Sequence, residues 1–222
     1  NMQVNVAGYV DTSYKGRNQS LTDLVDLIQC VITARRGNYL VFFPSYDYLR
    51  SAVQLFENRF PQIPLLVQQR KMSDEERQNF LGAFKDSGEV CGFAVMGGAF
   101  SESVDLKGNR LIGAVVVGVG LPQIGIERDL IRNHFPEAGF EYAYQYPGLV
   151  RVLQTAGRVI RDEEDRGIII LVDKRYRERR YLDLLPSEWV PRFCENTAEI
   201  AVNLESFWSR QQELSGYQVP NK

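Results

Sequence analysis

The sequence predicts an α/β fold, a three-layer domain in which helices flank a mostly parallel sheet. Short apolar runs alternate with helical patterns along most of the 222 residues, and this alternation is typical of β-α-β units. The runs are apolar on both faces, as strands are when helices cover both sides of a parallel sheet. A chain of this length with 44% hydrophobic residues can bury one sizeable core, so we expect a single domain.

Five strands are predicted from these apolar runs. Each run is short and is bounded by proline, glycine or aspartate, which is typical of a buried strand. The first run ends at Pro44, and the last ends in Asp173. The predicted strands are 39–43, 65–67, 90–96, 111–117 and 167–173.

Helices are predicted where apolar residues recur with helical spacing between these strands. Ser73 and Glu76 have the spacing of a capping box, which marks the start of one helix. The predicted helices are 47–59, 73–85, 127–134 and 148–161, with 21–35 and 197–214 flanking the sheet region. We therefore expect one domain over 1–222, with a lead-in strand and helix in 1–38 and a helical extension in 185–222.

Composition and charge exclude several classes of protein. With 26 basic and 28 acidic residues the net charge is −2, so any nucleic-acid site must be a local patch. No apolar run reaches the ~18 to 20 residues that a membrane span needs. The first residues also lack the layout of a signal peptide, so we expect no membrane partner.

Cysteine and histidine usage narrows the chemistry further. Cys30, Cys91 and Cys194 are odd in number and far apart, which favours reduced thiols in a cytoplasmic protein over a disulfide scaffold. No C-x-x-C spacing occurs and His134 is the single histidine, so we expect no metal site in this chain. His134 lies at the end of a predicted helix and is interpreted as a surface or capping residue.

Ligands of open parallel sheets bind beyond the carboxyl ends of the strands, and three segments of this sequence qualify. In the first, Pro44 ends a strand and Ser45 can cap the helix that follows, with Tyr46 next in the chain. The amide groups at the start of that helix offer a favourable place for a phosphate. The alternative is a plain connection from strand to helix.

The second segment follows the strand predicted at 90–96. Gly97 and Gly98 allow another backbone to approach closely, as a phosphodiester or a neighbouring domain would require. Ser101 follows, and Glu102 and Asp105 are three residues apart, so a helical turn would project both carboxylates from one side. The alternative is a solvated turn.

The third segment lies on the helix predicted at 148–161. Gln154, Arg158 and Arg161 share one helical face, and Arg151 joins it. Gly157 in mid-helix is unfavourable by ~1 kcal/mol relative to alanine, which indicates that something approaches closely there. Two arginines and a glutamine on one face suit the oxygens of a triphosphate. The alternative is a surface charge run in which the arginines pair with Asp162, Glu163 and Asp165.

The order and spacing of these three segments resemble motifs IV, V and VI of superfamily 2 helicases, in particular the DinG/XPD type of DNA helicase. The resemblance extends from about Thr12 to Leu182, and the third segment is its most specific part. One departure is visible, because Ser103 stands where motif V of this family usually has a glycine.

The resemblance implies a RecA-like fold and half of a two-domain motor. Such helicases bind ATP and Mg²⁺ between two RecA-like domains, and this sequence resembles only the second. It contains no G-x-x-x-x-G-K-[ST] phosphate loop and no strand-borne Asp-Glu pair of the DEAH kind. We therefore expect the N-terminal helicase domain of the same protein to hold most of the nucleotide. An iron–sulfur cluster, where one is present, would belong to that domain.

The resemblance also implies roles for individual residues. Arg161 is expected to be the catalytic arginine finger, with Arg158 beside it. The other residues expected on the nucleotide side are Gln154, Glu102, Asp105 and Gly157. The residues expected to contact single-stranded DNA are Ser45, Tyr46, Gly97, Gly98 and Ser101.

Two other classes of function remain open at this stage. One is a non-catalytic nucleic-acid-binding or docking module with the same RecA-like fold. The other is a nucleotide-cofactor enzyme with a Rossmann-like sheet. Gly118 and Gly120 have the spacing of the first two glycines of its phosphate-binding motif. Leu121 and Pro122 stand where that motif needs a third glycine and a helix start, so the second class is disfavoured.

Overall fold

The computed structural model describes residues 1–98, 100, 106–157, 159 and 165–216, with side chains described as far as 210. Its centre is a seven-stranded sheet in which every paired strand is parallel to its neighbour. In chain order, β1 to β7 are Met2–Ala7, Tyr39–Phe43, Leu65–Val67, Cys91–Val95, Gly113–Val117, Gly167–Val172 and Arg192–Cys194. Their order across the sheet is β3-β4-β2-β5-β6-β1-β7.

Helices cover both faces of this sheet. In chain order, α1 to α7 are Leu21–Ala34, Tyr46–Arg59, Asp74–Gly82, Ile126–His134, Tyr146–Ala156, Arg179–Leu182 and Thr197–Gly216. A π-helical turn, Glu141–Gln145, leads into α5. The predicted capping box is confirmed, since the hydroxyl of Ser73 accepts from the backbone N–H of Glu76 and the Glu76 carboxylate accepts in return.

Two apolar cores lie on opposite sides of the sheet, which gives the predicted three layers. On one side α1, α2 and α7 contribute Leu27, Phe56 and Leu204, all fully buried. On the other side Phe84 and Val152 pack against the sheet. The central strands contribute to both cores, which explains why their sequences are apolar throughout. The five predicted strands are all present.

The strand β1 lies inside the sheet, between β6 and β7, although its sequence is not an apolar run. Gln3 and Asn5 alternate with valines in β1, yet both side chains are buried. The amide nitrogen of Gln3 donates to the backbone oxygen of Asn203 at 3.1 Å and to Asn5 Oδ1 at 3.4 Å. The short strand β7, which no pattern in the sequence predicted, pairs with the end of β1.

The predicted helix 148–161 is shorter than expected, because α5 ends at Ala156. Gly157 is its C-cap, and the Gly157 N–H donates to the backbone oxygen of Leu153 at 2.8 Å. A glycine is a poor helix former and commonly stands where a helix ends. The expectation that Gly157 is a mid-helix glycine is therefore wrong. Among the described residues, no helix is long and apolar enough to cross a membrane.

Candidate functional site

The seven parallel strands end at one edge of the sheet, which we call the carboxyl edge. The segments that leave the strands there include Pro44–Tyr46 after β2, 68–70 after β3, 96–98 after β4 and 173–175 after β6. Because parallel strands bring these segments together, residues far apart in sequence become neighbours. Two of the three predicted site segments begin at this edge.

Ser45 and Tyr46 form the first part of the site. The hydroxyl of Ser45 accepts from the backbone N–H of Tyr48 at 3.3 Å, so Ser45 caps α2. Tyr46 begins α2 and is half-buried. The predicted cap at Ser45 is therefore confirmed, and the Tyr46 ring lies beside it at the carboxyl edge.

Gln68 joins Tyr46 to the strand that precedes the paired glycines. Its side chain is buried, with its carbonyl oxygen accepting from the backbone N–H of Val95 at 2.8 Å. Its amide nitrogen donates to the hydroxyl of Tyr46 at 2.9 Å. Sequence reasoning missed Gln68. The available signal was a glutamine immediately after a predicted strand, at the edge where the ligand was expected.

The paired glycines lie where the sequence placed them, directly after β4. Gly97 has a φ of +72° and is exposed, a backbone conformation that favours glycine. A Cβ at Gly97 would lie 3.5 Å from Nε of Arg151, and one at Gly98 would lie 3.4 Å from the amide nitrogen of Gln68. The atoms nearest to these positions therefore belong to the protein itself. They are the side chains of Arg151 and Gln68 and the backbone oxygen of Val95, which would lie 3.2 Å from a Cβ at Gly98. Ser101, Glu102 and Asp105 lie outside the described residues.

The helix α5 carries the third predicted segment. Gln154 and Gly157 are exposed at its C-terminal end, while Arg151 is half-buried one turn earlier. Arg151 lies beside Gly97. The structure thus brings the start of the third segment against the second. Arg158 and Arg161 lie outside the described residues.

A cluster of hydrogen-bonded side chains around Asp173 lies at the carboxyl edge, where β1 and its neighbour β6 end. Asp173 is fully buried, and its carboxylate accepts from Arg175 through Nε at 2.8 Å and Nη2 at 2.7 Å. The hydroxyl of Thr12 donates to the same carboxylate. Beside it, Lys174 donates to Asp11 at 2.6 Å, and this hydrogen bond lowers the pKa of Asp11 to about 2. Sequence reasoning noted Asp173 only as the end of a strand.

The described residues contain no group of three or more His, Cys, Asp and Glu side chains that could hold a metal ion. Cys91 and Cys194 are buried and Cys30 is half-buried, and all three are free thiols. Burial raises the pKa of Cys91 to about 12, so this thiol is not a nucleophile at neutral pH. The ring of His134 packs against Phe135 with 4.9 Å between ring centroids.

Comparison with known proteins identifies the family. The sequence profile of the family described as Helicase C-terminal domain matches residues 28–192, which is most of the chain. The chain belongs to this family. Its resemblance to the DinG/XPD type of helicase, which the sequence motifs indicated, is confirmed, as is the RecA-like fold.

Relatives of this helicase C-terminal domain are considerably longer proteins. ATP-dependent DNA helicase CHL1 of Coccidioides immitis is 26% identical over 247 residues, which cover 94% of this chain and 28% of the relative. A Regulator of telomere elongation helicase 1 homolog of Drosophila willistoni is 27% identical over 169 residues, covering 68% of this chain and 17% of the relative. The chain thus spans less than a third of the length of these relatives.

The solved structure named XPD_Helicase has the same fold as this helicase C-terminal domain. The TM-score is 0.68 at 22% sequence identity, with 87% of this chain and 35% of that chain covered. At this identity the likeness establishes the fold alone.

Proposed function

We propose that this chain is the second motor domain of an ATP-dependent DNA helicase. Membership of the helicase C-terminal domain family and relatives named as ATP-dependent DNA helicases support this proposal. In it, the N-terminal helicase domain of the same protein binds most of the ATP and Mg²⁺. Residues 1–222 form one domain that closes against the nucleotide and contacts single-stranded DNA. The location is cytoplasmic, a proposal that rests on the scattered free cysteines alone.

The observation that carries the proposal is the contact between the second and third segments at the carboxyl edge. Arg151 of α5 lies against Gly97, and Gln68 connects the strand before Gly97 to Tyr46. A displacement of α5 would therefore reach the segments assigned to DNA through direct contacts. A motor needs such a path between its nucleotide side and its DNA side.

On the nucleotide side, the exposed amide of Gln154 near the C-terminal end of α5 is suited to donate a hydrogen bond to a phosphate oxygen. Gly157, the C-cap of α5, is also exposed and adds no side chain at this end of the helix. When bound, ATP supplies the γ-phosphoryl group whose transfer to water provides the free energy. Arg161 would neutralise charge on that group as the arginine finger, with Arg158 beside it.

On the DNA side, the backbone of a single strand would follow the carboxyl edge. The contacts proposed there are with Ser45, Tyr46, Gly97, Gly98 and Ser101. Glu102 and Asp105 would connect this set to the nucleotide side. Single-strand binding of this kind combines backbone contacts with stacking of bases on aromatic rings, and Tyr46 is the aromatic residue of the set.

The decisive experiment is Arg161→Ala in the full-length protein. Loss of an arginine finger lowers the rate of phosphoryl transfer by about 10³ to 10⁵. We expect the DNA-stimulated ATPase rate to fall by at least about 10³. The matched control is Arg166→Ala, an exposed arginine after the same segment, which should leave the rate unchanged. An Arg161→Ala rate within about twofold of the wild type would contradict the assignment.

A second experiment separates a motor half from a docking module. The 222-residue chain alone should have no ATPase activity and should bind single-stranded DNA weakly and in a salt-dependent manner. Turnover by this chain alone would contradict the proposal that ATP is held mainly by another domain. An upstream sequence without a phosphate-loop lysine would favour the non-catalytic docking module instead.

A further inference from the structure

An open groove of about 620 Å³ runs between α2 and the edge strand β3. Its volume falls within the range of about 300 to 1,000 Å³ that is typical of small-ligand sites. Val53 and Val67, both half-buried, give it an apolar lining. Exposed polar side chains of α2 form one wall, and they are Arg50, Gln54, Glu57 and Asn58.

A stacked pair of flat side chains lines the same groove. The guanidinium carbon of Arg70 lies 5.3 Å from the centroid of the Tyr46 ring. Both groups are planar, and both stack on aromatic ligands. Among the described residues, no carboxylate forms an ion pair with Arg70, so its charge is available to a ligand.

The orientation of the Tyr46 ring is fixed before any ligand arrives. Its hydroxyl accepts from the buried amide of Gln68 at 2.9 Å and lies 3.5 Å from the backbone oxygen of Gln69, to which it donates. A ring held by two hydrogen bonds loses little conformational entropy when a ligand stacks on it. The groove is therefore pre-organised where it meets the carboxyl edge.

The polar wall supplies the groups that an aromatic heterocycle with hydrogen-bonding edges would need. The amides of Gln54 and Asn58 donate and accept, and the carboxylate of Glu57 accepts from amino groups. Arg50 and Gln54 follow Tyr46 along α2 at intervals of about one turn, so a flat ring that enters beside Tyr46 would meet these two side chains first. Glu57 and Asn58 lie about 16 to 18 Å from Tyr46 along the helix axis, at the far end of the groove. A nucleobase combines one flat face with a hydrogen-bonding edge in this way.

We propose that this groove receives an unstacked base of the single strand that follows the carboxyl edge. This inference rests on the proposed function, since it requires the DNA backbone to pass Ser45 and the paired glycines. Tyr46 immediately follows Ser45, and Gln68 connects it to the strand that precedes Gly97, so the groove opens beside that path. The base enters between α2 and β3, and its phosphate stays at the edge.

The test compares two fluorescein-labelled oligonucleotides of equal length and charge with the 222-residue chain at low salt. One carries thymine at every position, and the other carries abasic nucleotides. Stacking of a base contributes about 1 to 3 kcal/mol, so the Kd for the abasic strand should be at least about fivefold higher. Equal Kd values for the two strands would show that the groove does not bind a base, while DNA binding itself would still stand. If the chain bound neither strand, the proposed DNA-binding function would be wrong, and the proposal that the groove binds a base would be wrong as well.

Two variants then locate the base. Gln54→Trp should narrow the groove with a bulky side chain, bring the two Kd values closer together and leave the Kd for the abasic strand unchanged. Ser51→Trp is the matched control, an exposed position on the same helix that does not line the groove. It should keep the wild-type ratio. The proposed location of the base would be wrong if Gln54→Trp kept the wild-type melting temperature and its ratio of abasic-strand Kd to thymine-strand Kd were equal to or larger than that of the wild type.

Discussion

Two amphipathic helices of this domain, α1 and α4, differ completely in what their apolar residues contact. In α1 the apolar stripe is fully buried, from Leu24 to Val31. In α4 no residue is buried, and Ile126 and Leu130 are 81% and 65% exposed. An amphipathic pattern therefore predicts that a segment is helical, but it does not determine whether this chain supplies the surface that covers its apolar side.

The exposed apolar surface of α4 continues into the segment that follows. The rings of Phe135 and Tyr142 have centroids 4.6 Å apart, and those of Tyr142 and Tyr146 are 5.4 Å apart. Val150 of α5, one turn beyond Tyr146, is 51% exposed. These side chains contribute little to the free energy of folding of this domain, because water still reaches them.

The loop before α4 is held by a contact of its backbone with the backbone of α5, and not by burial of the apolar side chains of α4. Gly120 has a φ of +67°, and a Cβ there would overlap the backbone oxygen of Gly148. A Cβ at Gly148 would in turn lie 2.7 Å from the backbone oxygen of Val119. The loop before α4 is therefore held by a close crossing of two backbones.

The largest expected difference between the helices is in the effect of leucine truncation. Leu27→Ala in α1 leaves a cavity in a closed core and should reduce the free energy of unfolding by about 2 to 5 kcal/mol. Leu130→Ala in α4 should change it by no more than about 0.5 kcal/mol. Urea denaturation of both variants measures this. Similar losses would mean that α4 is packed in solution.

The second expected effect tests the backbone crossing near α4. Gly120→Ala combines a positive φ with a steric overlap and should be unfavourable by about 1 to 3 kcal/mol. Gly125→Ala is the control, since its φ is −171° and no atom lies within 4 Å of the added Cβ. Because Gly125 is the N-cap of α4 and alanine caps a helix less well than glycine, its melting temperature should fall slightly, and by less than that of Gly120→Ala. A wild-type melting temperature for Gly120→Ala would show that the crossing does not fix the loop.

A smaller effect concerns the polar contacts near the start of α1. The backbone N–H of Asp11 donates to Ser20, the N-cap of α1, and its carboxylate pairs with Lys174. The pKa of Asp11 is lowered from 3.8 to about 2, so its contribution to stability is present above about pH 3.8 and is lost as the pH falls through about 2.

Asp11→Asn should therefore lower the melting temperature at pH 6, and this effect should become much smaller as the pH falls to about 2. The comparison of the two melting curves across this range is the measurement. A difference from the wild type that is independent of pH would show that Asp11 acts through its hydrogen bonds to the backbone and not through its charge.

The smallest expected effect on stability comes from the exposed face of α4. The double variant Ile126→Ser, Leu130→Ser should leave the free energy of unfolding within about 0.5 kcal/mol of the wild type. It should also reduce self-association at high concentration, because exposed apolar surface promotes association. Sedimentation velocity measures this. A large loss of stability would contradict the exposure of these side chains.

The sequence was most informative where local pattern and burial agree. The apolar runs predicted five of the seven strands, and Ser73 predicted the start of α3. The strand β1 was expected only as a lead-in strand somewhere in 1–38, because Gln3 and Asn5 look like solvent-facing residues, and only the fold shows that they are buried. Gly157 looked like a mid-helix residue, since spacing alone cannot distinguish a tolerated glycine from a C-cap.

The candidate site was predicted in part. Pattern placed Ser45, Tyr46 and the paired glycines at strand ends, and the structure places them at one edge. The contacts of Gln68 with Tyr46 and Val95, and that of Asp173 with Thr12, could not be deduced, because they join segments that follow different strands and depend on the order of strands in the sheet. That order is set by tertiary packing, which no local window of sequence contains.

The position of β1 determines when this domain can be completed during folding. Met2 pairs with Gly167, and Asn5 pairs with both Ile170 and Arg192, so an early segment holds two late strands together. Such distant pairings make folding slow, since a long loop must close before the contacts form. During synthesis the first strand emerges long before its neighbours and must wait for nearly the whole domain before its hydrogen bonds are satisfied.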